Sequence, residues 1–293
     1  MSNIPLQTSI NATGWVQDKP DDRDKSNYIE VLTELPSSVD LREWCAPIEH
    51  QGNLNSCTAH AAIALVEYFQ KRVSGNEFNA SRLFLYKVTR NLLGRTGNSD
   101  AFSRDTMKAL TIFGVPPEEY WAYDETKLDE EPPAFCYSYA SRYRAIDYYR
   151  IDIKHRTRDV VLQQIKANLA ASRPVMFGML CYQSCMLQAQ NTGKGKIPVP
   201  TDSDLRIAGH NMAAVGYDDT IKIKNTDETG IETTGALLIR NSWGAEWGEG
   251  GYGWLPYAYV LRHDRPTFSL LSMDWWTMLK QDWLETGEFE IKK

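Results

Sequence analysis

The sequence predicts an α+β protein, with helices in its first half and strands in its second. Apolar residues between 57 and 72 recur at the spacing of one helix face, namely Ala62, Leu65, Val66 and Phe69. After Arg173 the chain instead carries short apolar runs bounded by Gly, Pro and Asp, which are typical of strands: PVMFGML, HNMAAVGY and ALLIRNSW. This change of pattern near residues 140–175 indicates a boundary between two domains.

The helix boundaries follow from capping residues and glycines. The first helix is predicted to begin almost at Cys57, because Asn55 and Ser56 are candidate caps before it and Gly75 lies beyond its end. Three further segments show helical periodicity, and a glycine closes the first two: 81–93, 103–113 and 158–171.

The N-terminal region reads as an extended arm. Residues 1–34 are polar, contain the charge run DKPDDRDK and show neither helical nor strand periodicity. Their few apolar anchors are Trp15, Tyr28 and Ile29. We expect three parts: an arm at 1–34 docked on the body, a mainly helical domain at 35–150 and a mainly β domain at 151–293.

Composition and charge exclude several function classes. The 293 residues are 42% hydrophobic with a net charge of −6, so the chain has material for a core and no overall field that attracts nucleic acid. The start of the chain lacks the features of an export signal, and no stretch is apolar enough to span a bilayer. We expect a monomer that is cytoplasmic at synthesis and contacts no membrane, with leaderless export left open.

One segment qualifies the expectation about nucleic acid. Residues 142–158, RYRAIDYYRIDIKHRTR, interleave basic and aromatic side chains, a pattern that suits a nucleotide or a single strand. The alternative, which we favour, is a strand and loop leading into the next helix, with solvated arginines and half-buried tyrosines.

The cysteines indicate neither a disulfide framework nor a metal site. Five cysteines are an odd and sparse set, so at least one thiol must be unbridged. Cys181 and Cys185 in CYQSC offer two metal ligands, but no second pair at matching spacing completes a tetrahedral site. We therefore predict no metal and no cofactor.

Cys57 and Gln51 are the first candidate catalytic residues, one as a nucleophile and the other as a hydrogen-bond donor. A cysteine at a helix N-terminus lies among unpaired N–H groups, which favour the thiolate and predict a lowered pKa. Gln51 lies six residues upstream, and the loop between them, rich in Gly and Asn, can fold its amide back toward the sulfur. Such an amide can donate to the oxyanion of acyl transfer, with the Cys57 N–H as a second donor.

A nucleophilic thiolate also needs a base, and His210 is the preferred candidate. It opens the strand-like run HNMAAVGYDD next to a glycine. His60 lies one turn beyond Cys57 on the same helix and is expected to pack in the core. The other histidines lie in charged or loop-like surroundings and are expected at the surface: His50, His155 and His263.

The segment IRNSWGAEWGEGGYGW supplies a group to orient the histidine. Asn241 follows a predicted strand, and Trp243 two residues later can shield a contact between the amide and the imidazole from water. The alternative for this stretch is a glycine-rich hairpin with ordinary core tryptophans.

Taken together, these motifs resemble the papain-like cysteine peptidases over about residues 36–276. The resemblance runs in order through LPSSVDLREW, QGNLNSCTAHA, GHNMAAVGY and RNSWGAEWGEGGYGWLPY. It implies a helical domain and a β-barrel-like domain with the active-site cleft between them. By motif match the family's catalytic places fall to Gln51, Cys57, His210 and Asn241.

The sequence departs from the family pattern at several positions near the cleft. Leu54 stands where many members have a disulfide cysteine, and Thr58 replaces the usual tryptophan. Asp100 stands where the substrate-pairing stretch is expected to have glycine, so its side chain is expected to narrow the cleft or favour a basic or small substrate residue. The expected substrate-binding residues are Gly97, Ser99, Asp100, Gly209 and Trp243.

The resemblance implies hydrolysis of peptide bonds through a Cys57 thioester, with His210 as acid and base. Two alternatives remain open at this point. One is a thiol-dependent deamidase, transferase or isopeptidase on the same fold, and the other is a non-catalytic peptide-binding module. Members of the family usually carry a longer inhibitory segment before this start, so the chain resembles a bacterial-type member with a short arm. Our hypothesis is that residues 1–34, like the segment of a zymogen, cross the cleft and limit access; the alternative is a simple surface strap.

Overall fold

The computed structural model describes residues 13–261 and 273–278, apart from residues 20, 27, 31–33, 146, 202 and 227–229. Helices within these ranges are α1 (Cys57–Ser74), α2 (Arg82–Leu92), α3 (Ser103–Phe113), α4 (Ala134–Ala140), α5 (Arg158–Ala170), α6 (Gln183–Asn191) and α7 (Ala258–Leu261). Strands are β1 (Trp15–Val16), β2 (Ser38–Asp40), β3 (Ala101–Phe102), β4 (Tyr148–Arg150), β5 (Val175–Tyr182), β6 (Arg206–Lys224), β7 (Glu232–Arg240), β8 (Tyr252–Pro256) and β9 (Met273–Met278).

The main sheet is antiparallel and mixes with helices, which confirms the α+β class. Its strands run in the order β4-β9-β5-β6-β7-β8, and β2 pairs with β6. The described strands leave this order open at β4 and β8, so they form an open sheet rather than the closed β-barrel that "barrel-like" suggests. β1 and β3 form a separate parallel pair.

Helix α1 is the central helix of the core. Every residue from Cys57 to Gln70 except Ala64 is buried, because the helix packs on α2 and α3 and also on β5 and β6. The predicted start at Cys57 is confirmed, and Gly75 ends the helix in a left-handed conformation with φ of 73°. The predicted capping by Ser56 is wrong: its hydroxyl contacts the Tyr123 hydroxyl at 2.7 Å and caps no helical N–H.

The other predicted helices are confirmed within one or two residues of their ends. α2 is capped by Ser81, whose hydroxyl accepts the Phe84 N–H at 3.2 Å, and α3 has the predicted bounds. The three predicted strand runs lie in β5, β6 and β7. Local patterns were sufficient here because apolar runs and the residues at their ends mark these segments, even where both faces are buried as in β5.

The cysteines are present as thiols. All five are buried, with no disulfide between them. Within the described ranges, no three His, Cys, Asp or Glu side chains cluster as a metal site. Nor does any helix in those ranges combine the length and apolar character needed to cross a bilayer.

The described part of the arm follows the body from residue 13 to residue 30. Trp15 pairs with Ala101 in the parallel β1–β3 ladder, and Ser26 forms a bridge with Arg150. Further along, the side-chain amide of Gln164 accepts the Ile29 N–H at 2.8 Å and donates to the Ile29 carbonyl at 2.9 Å. Trp15 is buried, whereas Tyr28 is exposed with the Arg156 guanidinium 5.6 Å from its ring centre.

In the described part of segment 142–158 the favoured strand and loop are confirmed, whereas the expectation of solvated arginines is wrong for Arg150. Tyr148–Arg150 is strand β4, and a loop leads into α5 at Arg158. Arg150 is buried and forms ion pairs with Asp24 at 3.2 Å and Asp152 at 3.1 Å. The charge of Arg150 is therefore compensated by carboxylates inside the protein.

Candidate active site

Cys57 lies at the first position of α1, against the strand that carries His210. The thiol is fully buried, and the backbone N–H of Asn211 is near enough to oppose the rise in its pKa. Because Asn211 follows His210 in β6, the packing of α1 on β6 brings the start of the helix into the neighbourhood of the predicted base. The His210 Nδ1 atom makes no hydrogen bond to the sulfur in this state.

His210 and Asn241 meet across two neighbouring strands. The Nε2 atom of His210 is 2.8 Å from the Oδ1 atom of Asn241, and the indole of Trp243 stacks on the imidazole with 4.6 Å between ring centres. The other ring nitrogen, Nδ1, is buried and has no hydrogen-bond partner among the described residues. The amide and the indole thus fix the ring and leave one nitrogen available for proton transfer.

Burial sets the protonation of this pair. It raises the pKa of the Cys57 thiol far above its ordinary value, although the Asn211 N–H acts in the opposite direction. Burial also lowers the pKa of His210 to about 4, with the Asn241 contact opposing the shift. Burial thus opposes ionisation of Cys57 in this state, contrary to the predicted lowering of its pKa, because desolvation acts more strongly than the helix N-terminus.

The side-chain amide of Gln51 is held in a fixed orientation before α1. Its Oε1 atom accepts the Ser242 hydroxyl at 2.7 Å, and its Nε2 atom donates to the Leu54 carbonyl at 2.8 Å. The second Nε2 hydrogen is donated to the carbonyl of Thr13, at 3.0 Å. The Thr13 carbonyl therefore accepts the hydrogen bond that, by the sequence motif, Gln51 would donate to the oxyanion of the reaction.

The arm continues between the two sides of this site. The Gly14 N–H donates to the Gly209 carbonyl at 3.1 Å, next to His210, and the Gly14 carbonyl accepts the Ala101 N–H at 2.8 Å. A Cβ at Gly14 would lie 2.1 Å from the Asn55 carbonyl oxygen, in the loop just before Cys57. Thr13 and Gly14 thus lie against the segments that precede both Cys57 and His210.

The remaining histidines lie as expected where they are described. His60 is buried on α1, with Nδ1 3.1 Å from the Ser56 carbonyl oxygen, and burial lowers its pKa to about 3. His50 and His155 are exposed. His263 lies outside the described residues.

The residues expected to bind substrate occupy different positions around the site. Gly209 meets the arm, and Trp243 is buried under the imidazole. In the 97–100 loop, the Gly97 N–H donates to the Asp129 carboxylate, and Ser99 exchanges hydrogen bonds with the Tyr86 hydroxyl. Asp100 accepts the Asn55 amide at 2.9 Å. The backbone N–H that pairs with the arm belongs to Ala101, a residue that the sequence did not single out.

A second group of missed residues lies one layer deeper. Ser103 starts α3, Asn211 follows His210, and Asp274 lies in β9. The Ser103 hydroxyl donates to Asp274 at 2.7 Å and accepts the Asn211 amide at 2.8 Å. A single acidic residue in the apolar run MDWWTM was the signal that could have singled out Asp274.

The comparisons with known proteins agree with this geometry. The profile of the family described as "Papain family cysteine protease" matches residues 35–259. A peptidase C1-like protein of Acanthamoeba polyphaga mimivirus is 31% identical over 287 residues, which cover 90% of this chain and 85% of that protein. Cysteine protease 1 of Oryza sativa subsp. japonica is 30% identical over 228 residues, covering 74% of this chain and 40% of the rice protein.

A solved structure is similar over nearly the whole chain. The crystal structure of xylellain, a cysteine protease from Xylella fastidiosa, has a TM-score of 0.75 and 32% identity and covers 92% of this chain and 96% of that one. The fold and site thus define a cysteine peptidase. The chain belongs to the papain family of cysteine proteases.

Proposed function

We propose that this chain hydrolyses peptide bonds with Cys57 as nucleophile, His210 as acid and base, Asn241 as the orienting group and Gln51 as oxyanion donor. The observation that carries this assignment is the fixed imidazole. Its Nε2 atom is held by Asn241, and its Nδ1 atom has no hydrogen-bond partner among the described residues. The next residue of the strand, Asn211, lies near enough to Cys57 for its N–H to oppose the rise in the thiol pKa.

The proposed reaction has two stages. In the first, the Cys57 proton passes to His210, the sulfur attacks the substrate carbonyl carbon, and His210 returns a proton to the leaving amine, so that a thioester forms as the peptide C–N bond breaks. The oxyanion receives the Gln51 amide hydrogen that Thr13 now accepts. In the second, His210 takes a proton from a water molecule, whose oxygen attacks the thioester carbonyl carbon. The C–S bond breaks to release a carboxylic acid, and the proton on His210 passes to the Cys57 sulfur and restores the thiol.

The described arm segment, residues 13–26, is proposed to inhibit this reaction. Thr13 accepts the hydrogen bond of Gln51, and Gly14 bonds the backbone beside His210. Two ion pairs hold the following residues, because Asp24 meets Arg104 at 2.7 Å and Arg150 at 3.2 Å. While these contacts persist, a substrate carbonyl has no access to the Gln51 amide.

Product analysis tests the peptidase assignment. A peptide library is incubated with the intact chain and with Gly14→Ala, in which the new Cβ would lie 2.1 Å from the Asn55 carbonyl oxygen and displace the arm. Mass spectrometry should find new amine and carboxylate termini. Deamidated or transferred products without chain cleavage would contradict peptide hydrolysis.

Removing the orienting amide is expected to slow the reaction without unfolding the protein. Asn241→Ala, in a chain that also carries Gly14→Ala, loses the 2.8 Å contact with His210, and we expect kcat/KM to fall by about 10²-fold. The matched control is Asn168→Ala, which removes a buried amide on α5 whose Nδ2 donates to the Gln164 carbonyl. Equal losses in the two variants would assign Asn241 a structural role only.

Arm docking is expected to weaken as pH rises. Burial first, and then the nearby Asp274 carboxylate, raise the pKa of Asp18 above the carboxyl range of about 4, against the opposing charges of Arg104 and Arg150. Docking therefore takes up a proton. The contribution of Asp18 to the free energy of docking is fully favourable below the ordinary carboxyl range. It is lost as pH rises toward the raised pKa of Asp18.

The measurement is a latency ratio, defined as the hydrolysis rate of Gly14→Ala divided by that of the intact chain at the same pH. This ratio cancels the titration of the catalytic pair. We expect it to fall roughly tenfold between about pH 5 and about pH 9, and to change less when both proteins also carry Asp18→Asn. A ratio that stays level or rises with pH in the unsubstituted arm would refute the expectation.

A further inference from the structure

A small cavity adjoins Asn241, the residue that holds the His210 imidazole. Its volume is about 10 Å³, which is close to the space that one water molecule needs. Four polar side chains that line this cavity, each 5% exposed or less, come from α1, from β6 and from the residue after β7: His60, Glu67, Asn211 and Asn241. The cavity is therefore a polar space at the edge of the proposed active site.

Each of these four side chains carries a buried polar atom without a hydrogen-bond partner among the described residues. The atoms are Nε2 of His60, Oε2 of Glu67, Oδ1 of Asn211 and Nδ2 of Asn241. Elsewhere the same side chains are paired: the Asn211 amide donates to Ser103, and Oε1 of Glu67 accepts the Ala80 N–H at 3.1 Å. Because buried polar groups are almost always paired with protein or with ordered water, these four atoms indicate a bound ligand.

The orientation of the Asn241 amide follows from its other contacts. Its Oδ1 atom accepts the Ser242 N–H at 2.8 Å and lies 2.8 Å from the His210 Nε2 atom. If the amide were turned by half a rotation, its NH₂ group would face the Ser242 N–H, and two donors would meet. The Nδ2 atom is therefore the end without a described partner, and its hydrogens are available to an acceptor.

The hydrogen of the His60 ring can be placed in the same way. The Nδ1 atom lies 3.1 Å from the Ser56 carbonyl oxygen, which can only accept a hydrogen bond. Burial lowers the pKa of His60 to about 3, so the ring is neutral at neutral pH and carries one hydrogen. That hydrogen lies on Nδ1. The Nε2 atom is consequently a buried acceptor.

Neighbouring side chains hold the His60 ring in place. The Tyr123 ring packs against it edge-on, with 5.2 Å between ring centres. The Tyr123 hydroxyl donates to the Gln51 carbonyl at 2.8 Å and lies 2.7 Å from the Ser56 hydroxyl. The ring that supplies the acceptor is thus part of a network that also includes the loop before Cys57.

The ligand must both accept and donate hydrogen bonds. Asn241 offers amide hydrogens, whereas the His60 Nε2 atom and the Asn211 Oδ1 atom can only accept. A metal cation cannot accept the amide hydrogens, and a simple anion cannot donate to the imidazole lone pair. A water molecule has two hydrogens and two lone pairs, and it fits both the set of partners and the volume.

The two arginines that line the cavity do not require an anion there. Arg82 donates to the Glu67 Oε1 atom at 2.8 Å. Arg240 donates to the carbonyls of Ala46 and Pro47. Both guanidinium groups therefore have acceptors, which favours a neutral ligand.

We propose that the cavity binds one structural water molecule, which accepts a hydrogen bond from the Asn241 Nδ2 atom and donates one to the His60 Nε2 atom, so that His60 is a positioning residue for the orienting amide. This inference rests on the proposed peptidase function. The Ser242 N–H holds the oxygen end of the amide, and the bound water holds the nitrogen end. His60 acts on His210 only through Asn241.

The first experiment locates the water without relying on hydrolysis. A high-resolution crystal structure of the full chain should show a water molecule about 2.7–3.2 Å from both the Asn241 Nδ2 and the His60 Nε2 atoms. Nitrogen-15 NMR should find the hydrogen of the His60 ring on Nδ1. A cavity without this water, or a water that contacts only one of the two atoms, would overturn the inference.

The second experiment compares two replacements of His60 in the Gly14→Ala chain. Asparagine can keep a donor near the Ser56 carbonyl but offers nothing at the position of Nε2, whereas the longer glutamine can place its oxygen there. We expect kcat to fall about tenfold in His60→Asn and about threefold or less in His60→Gln, with little change in KM. The control on the same helix is Tyr68→Phe, which removes a hydroxyl bonded to the Ser172 carbonyl and should leave kcat unchanged.

A double-mutant cycle distinguishes positioning from a loss of stability. If His60 acts through Asn241, His60→Asn should lower kcat about tenfold when Asn241 is present and less than about twofold in Asn241→Ala. Urea unfolding of every variant records the change in stability. Equal losses of kcat in the two backgrounds would make the role of His60 purely structural and overturn the inference.

The outcomes separate this inference from the proposed function. An unchanged kcat in His60→Asn would overturn the positioning role while the peptidase assignment stands. If no variant and no parent chain cleaves a peptide, the proposed function fails, and the crystal structure still decides whether a water molecule joins His60 to Asn241.

Discussion

Substitution of Gly14 by alanine is expected to raise peptide hydrolysis by the intact chain about 10²-fold. Gly14 has φ of 132°, a conformation that side chains disfavour, and a Cβ there would lie 2.1, 2.4 and 2.6 Å from three backbone atoms of Asn55. Backbone atoms cannot rotate away as the end of a side chain can. The arm must therefore lift from the loop that precedes Cys57.

The matched control for this variant is Gly75→Ala. Gly75 also has a positive φ, of 73°, but a Cβ there would meet nothing within 4 Å, and the residue ends α1 away from the arm. It should cost some stability and leave latency unchanged. Hydrolysis is followed with a quenched fluorescent peptide, and Cys57 labelling is followed in parallel. If Gly14→Ala and Gly75→Ala behave alike, the arm does not inhibit the enzyme.

Replacing Cys57 with alanine in the Gly14→Ala chain is expected to lower kcat by about 10⁴-fold or more. The sulfur is the only nucleophile proposed for the thioester, and the loss of one member of such a catalytic group removes most of its effect. The measurement is single-turnover hydrolysis together with mass spectrometry of a trapped acyl-enzyme. The loss of the acyl adduct must accompany the loss of rate.

Cys136→Ala is the control for this substitution. Cys136 is likewise a fully buried thiol, but it lies in α4 and has no assigned catalytic role. Its removal should reduce stability by a packing effect and leave the acyl adduct on Cys57 intact. Hydrolysis that survives Cys57→Ala would contradict the assignment of the nucleophile.

The sequence predicted those parts of the fold that depend on local patterns. The bounds of α1 and α3 follow from apolar spacing and terminal glycines, and the strands around His210 and Asn241 follow from short apolar runs. The pairing of these two residues was suggested by the need for an orienting amide and then by the family resemblance, not by their spacing. Positions 31 residues apart in the chain are brought together only by the β6–β7 register.

The features that could not be predicted depend on tertiary contacts. The side chain of Ser56 contacts Tyr123, so the predicted cap is absent, and the pKa of Cys57 is raised because the cleft excludes water. Trp15 was recognised as an anchor, but its partner Asp274 is 259 residues away. No periodicity in the sequence encodes such a distant contact, and it becomes apparent only when the sheet register is known.

The single hydrogen that Gln51 offers to Thr13 has a kinetic consequence. That hydrogen can bond only one carbonyl at a time, so arm and substrate are competitors for a common donor. Because the competitor is tethered to the enzyme, its effective concentration is set by the chain and not by the amount of protein in solution. Dilution therefore leaves inhibition unchanged, whereas saturating substrate overcomes it.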